Sequence, residues 1–413
     1  MTPLRTVEEQ LDHVLGHLAQ TRSERVPLSA ARGRTSRAAI TAAVDIPAFE
    51  NSAMDGFAVR FADVEAAAPE RPVILTVIAD LPAGTDIDPP LGPGQAARIM
   101  TGSPLPTDAD TIVPFEDTTG GLAASLGEIA VRNAPQAAGV HVRRRASDAA
   151  IGDEIVPAGV RLGPLQLAAA AASGIAEVTV ARPPRVAVIS TGSELVTPGL
   201  PLRRGQIPES NSTLLAALTA EAGAEVVLTA SVDDTDAAFL AVLADARASG
   251  AEIVITSGGV SEGAFEVVKN ALSGSDIAFV KVAMQPGKPQ AFGRLPGGAL
   301  LFGLPGNPVS AAVSFEVFVR PALLAMQGRR DIHRARIVLP AASSWRTPPG
   351  RRQYLPAAIE RSDPARWSVR PATAGGSGSH LAGGLARAEA YAIVPDDVAA
   401  VAAGDLVEVM LIE

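Results

Sequence analysis

Strand-like and helix-like runs alternate regularly between residues 185 and 324, and this pattern constrains the fold more than any other feature. Apolar runs of strand length are predicted at 185–190, 225–231, 252–256, 277–282 and 299–302. Helical patterns are predicted at 213–222, 235–249, 264–272 and 309–324, and Gly223 and Gly250 follow two of them as C-terminal capping glycines would. Strands that alternate with helices pair in parallel, so we expect a doubly wound, mostly parallel α/β domain over residues 183–328.

Four turns rich in glycine, proline or serine follow the predicted strands. They are Ser-Thr-Gly-Ser-Glu-Leu at 190–195, Ser-Gly-Gly-Val-Ser-Glu-Gly at 257–263, Met-Gln-Pro-Gly-Lys-Pro at 284–289 and Gly-Leu-Pro-Gly-Asn-Pro at 303–308. In a parallel sheet these turns would meet at one edge, which is where open α/β sheets bind anions. One such turn is equally typical of an ordinary βα loop, but four together predict a binding site.

The flanking regions have different patterns. The Thr6-Val7-Glu8-Glu9 capping box predicts an N-terminal helix, and an alanine-rich helix is predicted to begin after Gly163. We assign residues 1–26 and 141–182 to a helical linking domain, and 27–140, with its short β-type runs, to a β-rich insertion. Short strands return after residue 329 and predict a small C-terminal β domain, barrel-like in type, over 329–413.

Composition excludes several functional classes. The net charge of −9 argues against broad nucleic-acid binding, which needs a basic face. The chain has no run of eighteen consecutive apolar residues, so no membrane span is predicted, and the N-terminus lacks the apolar core of a signal peptide. The chain has no cysteine, which excludes disulfides, thiolate metal ligands and cysteine nucleophiles. These features predict a cytoplasmic protein.

Several segments, taken as a set, resemble the molybdopterin molybdenumtransferase family. They are Asn-Ser-Ala-Met-Asp-Gly-Phe-Ala-Val-Arg at 51–60, Arg-Ile-Met-Thr-Gly-Ser-Pro at 98–104, Ser-Gly-Gly-Val-Ser at 257–261 and Leu-Pro-Gly-Asn-Pro-Val-Ser at 304–310. The resemblance runs from about Thr6 to the C-terminus. It implies that the central domain is of the molybdopterin-binding type, and that the protein inserts molybdenum from molybdate into adenylylated molybdopterin with release of AMP. It also implies Mg²⁺, an elongated homodimer with shared active sites, and a molybdopterin adenylyltransferase as a further partner.

The resemblance implies the residues of the site as well. The matching catalytic positions are Asp55, Thr101, Glu194, Asp233, Glu266, Lys281, Gln285 and Lys288. The matching binding positions are Ser190, Thr191, Gly192, Ser257, Gly258, Gly259, Ser261, Pro305, Gly306, Asn307, Pro308 and Ser379. Glu194 and Asp233 would hold Mg²⁺, whereas Asp234, directly before Thr235, is expected to cap a helix. Asp55 and Thr101 would act on the site of the other subunit.

Some of these positions allow a plainer interpretation. A lysine such as Lys281 or Lys288 suits phosphate or molybdate, yet it is also typical of a solvated surface. The loop around Ser379 is equally typical of a flexible connection.

Two positions depart from the usual family pattern. Gln285 stands where many members carry lysine, and Glu266 stands where many carry aspartate. Gln285 cannot supply charge, so Arg351 or Arg352 is the candidate to compensate. Two alternative functions stay open: an adenylyltransferase acting on molybdopterin, because the central domain alone resembles such enzymes, and a non-catalytic pterin-binding scaffold or carrier, which Gln285 and Glu266 leave open.

Overall fold

A six-stranded sheet lies at the centre of the computed structural model, which describes residues 4–259, 267–272, 276–373 and 382–412. In chain order its strands are β1 Arg185–Thr191, β2 Glu225–Val232, β3 Ile253–Ser257, β4 Asp276–Lys281, β5 Pro289–Arg294 and β6 Leu300–Leu304. Their spatial order is β2-β1-β3-β6-β5-β4. Only β5 runs against its neighbours, and the sequence pattern did not predict it. The turns after β1, β3, β4 and β6 therefore leave the sheet at the same edge.

Helices cover both faces of this sheet. They are α1 Asn211–Glu221, α2 Asp236–Ala248, α3 Val267–Ala271 and α4 Pro308–Ser314, which continues through a π-helical turn Phe315–Val319 into Arg320–Met326. Alternate residues of β1 face opposite ways: Val186 and Val188 share a core with α1 and α4, while Ala187 and Ile189 share one with α2. This two-residue period gives the sheet an apolar layer on each side.

The helix Pro308–Met326 is apolar and long enough to cross a membrane, with 19 residues and a mean hydropathy of 1.5. However, 89% of its most apolar window is buried inside the protein, as expected for a core helix. The N-terminal helix Val7–Leu15, capped as predicted by Thr6 and Glu9, packs into the same core through Val7 and Val14. It therefore lies on the central domain, although the sequence assigned it to the linking domain.

Two antiparallel strand pairs and one helix, Pro164–Ala172, form the linking domain. Strand Ser23–Pro27 pairs with Glu177–Ala181, and Ile40–Thr41 pairs with Glu154–Val156. Ile40 also shares a core with Leu162. The structure thus places Leu28, Ala31 and Ile40 in the apolar core of the linking domain, although the sequence assigned them to the β-rich insertion.

The β-rich insertion is built on a five-stranded sheet. Its spatial order is Thr111–Pro114, Gly56–Val59, Gln95–Ile99, Val73–Leu81 and Gly127–Val131. A separate pair joins Asn51–Ser52 to Val142–Arg143. The short helix Phe61–Val64 and the 3₁₀ turns Phe115–Asp117 and Gly121–Ala124 connect the strands; a third 3₁₀ turn, Leu28–Ala30, belongs to the linking domain.

The C-terminal domain is a six-stranded sheet that includes one strand of the central domain. Its own strands are Arg336–Pro340, Arg352–Glu360, Ser368–Pro371, Ala390–Val394 and Leu406–Leu411, with a separate pair Trp345–Arg346 and Ala400–Val401 and a short helix Ala382–Leu385. The sixth strand, Met284–Gln285, comes from the turn after β4 and pairs in parallel with Arg352–Glu360. One of the four predicted turns is therefore held by the C-terminal domain.

Candidate active site

A cavity of about 490 Å³ lies at the edge of the central sheet where the four turns meet. All four turns contribute to its wall. The predicted site residues that line it are Thr191, Gly192, Glu194, Ser257, Gly258, Gly259, Gln285, Lys288, Pro305, Gly306, Asn307 and Pro308. The structure thus brings together twelve of the predicted positions, which are separated by up to 117 residues in the chain (308 − 191).

The floor of the cavity depends on glycine. Gly258 has a φ of +101°, and a Cβ atom there would lie 2.5 Å from the carbonyl oxygen of Thr191. Gly306 packs closely against Gly258, because a Cβ atom added at Gly306 would lie 3.4 Å from the Cα of Gly258. Three turns therefore meet with backbone against backbone, and a side chain at 258 would force them apart.

A buried carboxylate forms one wall, and sequence reasoning missed it. Glu209 is only 6% exposed, and its Oε1 accepts hydrogen bonds from Ser190 Oγ at 2.8 Å and from the Ser212 amide at 2.9 Å. Ser212 Oγ donates to the other carboxylate oxygen. Ser190 is thus a partner of Glu209 and does not itself line the cavity.

Asn211 is the second residue that sequence reasoning missed. It is the first residue of α1 and is 8% exposed. Its Nδ2 donates to Ser257 Oγ and to the Gly306 carbonyl oxygen, each at 2.6 Å. The only sequence signal was the polar Glu-Ser-Asn-Ser run at 209–212, which is also typical of any helix start.

Two acidic side chains face the cavity. Glu194 is exposed, and Asp234 is half-buried with its Oδ2 accepting a hydrogen bond from the Ser193 amide at 3.0 Å. The predicted metal residue Asp233 does not line the cavity; its Oδ1 accepts from Thr235 Oγ1 at 2.6 Å. Thr235 is the N-cap of α2, so Asp234 does not have the capping role that its position suggested.

Positive charge comes from the turn after β4. Lys288 is half-buried and lines the cavity, whereas Lys281 lies on β4 and is not part of the described wall. Gln285 does line it, and its Oε1 accepts a hydrogen bond from Arg351 Nη1 at 2.6 Å. Arg352 instead pairs with Glu8 of the N-terminal helix. Of the two arginines proposed to compensate for Gln285, the structure brings Arg351 to it.

Asp55 and Thr101 contact each other in the β-rich insertion. The amide and the Oγ1 of Thr101 both donate to Asp55 Oδ1 at 2.7 Å. These hydrogen bonds hold the pKa of the Asp55 carboxyl below its usual value, because they favour the charged form. Both residues are exposed, and neither lines the cavity of the same chain. Ser261, Glu266 and Ser379 lie outside the described residues.

Comparison with known proteins agrees with the domain architecture. Family models match in three consecutive segments: the MoeA N-terminal region (domains I and II) at 5–174, a probable molybdopterin-binding domain at 187–325 and the MoeA C-terminal region (domain IV) at 338–412. Molybdopterin molybdenumtransferase 2 of Mycobacterium tuberculosis is 44% identical over 98% of this chain and 99% of its own length. The chain belongs to the molybdopterin molybdenumtransferase family.

Further members of the family support this membership. The molybdopterin molybdenumtransferase of a Nostoc species is 38% identical over 79% of this chain and 76% of its own length. A crystal structure of a molybdopterin biosynthesis MoeA protein from Pyrococcus horikoshii OT3 superposes with a TM-score of 0.83 at 27% identity, over 99% of this chain and 100% of its own.

The acidic side chains that line the cavity are the candidate ligands for the Mg²⁺ that the resemblance to this family implies. Within the described residues, no three His, Cys, Asp or Glu side chains cluster as an all-protein metal site would require. Mg²⁺ does not need such a cluster, since proteins usually hold it through one or two carboxylates together with substrate phosphates. Glu194 and Asp234 both line the cavity and fit this arrangement. Glu209 fits this role less well, because it is buried and three hydrogen bonds from Ser190 and Ser212 use most of its acceptor positions.

Proposed function

We propose that the protein inserts molybdenum from molybdate into adenylylated molybdopterin and releases AMP. One observation carries the proposal: a single cavity combines the carboxylates of Glu194 and Asp234, a lysine and a glycine-rich floor at the carboxyl edge of an α/β sheet. Its volume of about 490 Å³ falls in the usual range for small-molecule sites, roughly 300–1,000 Å³. Family membership favours this reaction over the adenylyltransferase and carrier alternatives.

The acidic and basic residues of the cavity would bind different parts of the reactants. Glu194 and Asp234 would hold Mg²⁺ against the substrate phosphate, and the bound ion would neutralise negative charge there. Lys288, and Arg351 acting beside Gln285, would attract molybdate as positive groups. The proposed reaction forms no covalent bond to the enzyme, so acceleration would come from positioning and electrostatics.

Asp55 and Thr101 belong to this proposal through a second subunit. Their contact forms a small polar site on the insertion, yet it lies away from the cavity of its own chain. We infer a homodimer in which this pair completes the partner's cavity. Mixing equal amounts of Asp55→Ala and Glu194→Ala chains should then restore about a quarter of the wild-type activity, since half of the dimers would hold one intact site of two. No recovery after confirmed subunit exchange would refute the shared site.

AMP release tests the reaction itself. Purified protein given adenylylated molybdopterin should release AMP only when molybdate and Mg²⁺ are both present. An adenylyltransferase would instead consume ATP, and a carrier would do neither. AMP release that occurs without molybdate would contradict the proposal. In the cell, the adenylylated substrate would come from a cytoplasmic molybdopterin adenylyltransferase.

A further inference from the structure

Among the described residues, a cavity-lining side chain, that of Asn211, carries an oxygen atom without a hydrogen-bond partner. Asn211 lines the cavity and is 8% exposed, and within the described residues its Oδ1 contacts no donor. A buried acceptor without a partner is unfavourable, since water has been removed and nothing replaces it. Such atoms are rare in native proteins, and one at the wall of a cavity points to a group that arrives with a ligand.

The orientation of this amide is fixed by its neighbours. Nδ2 lies 2.6 Å from the Gly306 carbonyl oxygen, which can only accept, so the nitrogen must face that atom. The Ser257 hydroxyl, also at 2.6 Å, accepts the second hydrogen of the same group. Both Nδ2 hydrogens are therefore used, and Oδ1 is held in one direction by two turns and by the start of α1.

The carboxylates near Asn211 cannot supply the missing donor. Its nearest charged neighbour in sequence, Glu209, is a carboxylate whose oxygens already accept from Ser190 and Ser212. Glu194 and Asp234, on the same cavity wall, are acceptors as well. A group that pairs with Oδ1 must therefore carry its own N–H or O–H.

We propose that Asn211 Oδ1 accepts a hydrogen bond from an N–H or O–H group of the bound substrate, and so selects a ligand that carries a donor at this point. The inference rests on the proposed function for the identity of the ligand. Two parts of an adenylylated pterin offer such donors: the adenosine, through its amine and ribose hydroxyls, and the pterin, through its amine. Phosphate and molybdate, as unprotonated oxyanions, do not.

Ligand analogues measured against a variant test this assignment. Calorimetry would compare AMP with inosine monophosphate, 2′-deoxy-AMP and 3′-deoxy-AMP, and 6-hydroxymethylpterin with 6-hydroxymethyllumazine, which lacks the 2-amine. Loss of the paired donor should weaken binding to the wild type about ten- to a hundredfold, because Oδ1 is again left unpaired. The same analogue should bind Asn211→Ala as well as its parent does, and the arm that shows this coupling identifies the donor.

Controls separate a ligand contact from a structural role. Ser257→Ala removes an acceptor for Nδ2 but keeps Oδ1, so it should weaken all ligands alike and leave the analogue effect intact. If Asn211→Ala does not fold, Asn211→Ser takes its place, since serine is favoured at helix starts. Equal losses for parent and analogue in every arm would overturn the inference alone. Absence of binding by AMP and pterin alike would overturn it together with the proposed function.

Discussion

The hydrogen bond between Arg351 and Gln285 leads to a prediction about molybdate. Arg351 Nη1 lies 2.6 Å from Gln285 Oε1, and Gln285 lines the cavity. An oxyanion at that wall would lie about 6 Å from the guanidinium, where each unit charge interacts by about 3 kcal/mol at an effective dielectric constant of about 20. Arg351 is only half-buried, so solvent screening should reduce this to about 1–2 kcal/mol.

Arg351→Ala should therefore raise the molybdate concentration for half-maximal AMP release about five- to thirtyfold. Affinity for the adenylylated pterin should change little, because its phosphate would be bound at other turns. Adding Gln285→Lys to Arg351→Ala should restore most of the loss, since it places a cation directly on the wall. In the wild type the same substitution should gain less, because the new ammonium would repel Arg351.

Arg352→Ala is the matched control. This neighbouring arginine pairs with Glu8, so its removal should leave the molybdate requirement unchanged. Molybdate titrations of the four variants decide the matter. If Arg351→Ala keeps the wild-type requirement, or if Arg352→Ala changes it equally, the reasoning that Arg351 supplies the missing charge is refuted.

Three further predictions concern the acids and the glycine floor. Asp234→Ala should raise the Mg²⁺ requirement more than Asp233→Ala, because only Asp234 lines the cavity; equal Mg²⁺ titrations would remove this distinction. Gly258→Ala should lower the free energy of unfolding in urea by about 1–3 kcal/mol more than Gly298→Ala, whose φ is also positive but whose Cβ meets nothing within 4 Å. The hydrogen bonds that lower the pKa of Asp55 below 3.8 stabilise the fold above that pH and are lost as pH falls through the folded value. Carboxyl NMR titration should find Asp55 charged throughout the neutral range, whereas a midpoint above 3.8 would contradict the contact.

Local sequence pattern predicted much of the central domain because its signals are local. Apolar runs, helical periodicity and capping glycines identified α1, α2, α4 and five of the six strands within one or two residues of their observed ends. Strand β5 was missed, since Pro-Gln-Ala-Phe-Gly-Arg contains no β-branched residue. It forms a strand because β4 and β6 pair with it on both sides, and only the tertiary structure contains that information.

The candidate site was likewise predicted only in part. Its turns carry glycine and proline, so they could be found from sequence and placed on one edge. Glu209 and Asn211 could not be found, because a short parallel pair, Leu195–Val196 with Ile207–Pro208, brings their segment back to the cavity. The choice between Asp233 and Asp234 depends on which way adjacent side chains point at the end of β2, and spacing does not determine this.

The shared strand Met284–Gln285 has a consequence for how the chain behaves as a physical unit. The C-terminal sheet takes this strand from a segment that precedes its own first strand by some fifty residues (336 − 285). A fragment beginning after the central domain would lack this strand and leave Arg352 and Gln353 unpaired on that side, and an unpaired strand edge favours association with other chains. The C-terminal domain is thus a distinct sheet that shares a strand with the central domain. We expect the two domains to unfold in one transition, and the C-terminal domain to be poorly soluble when expressed alone.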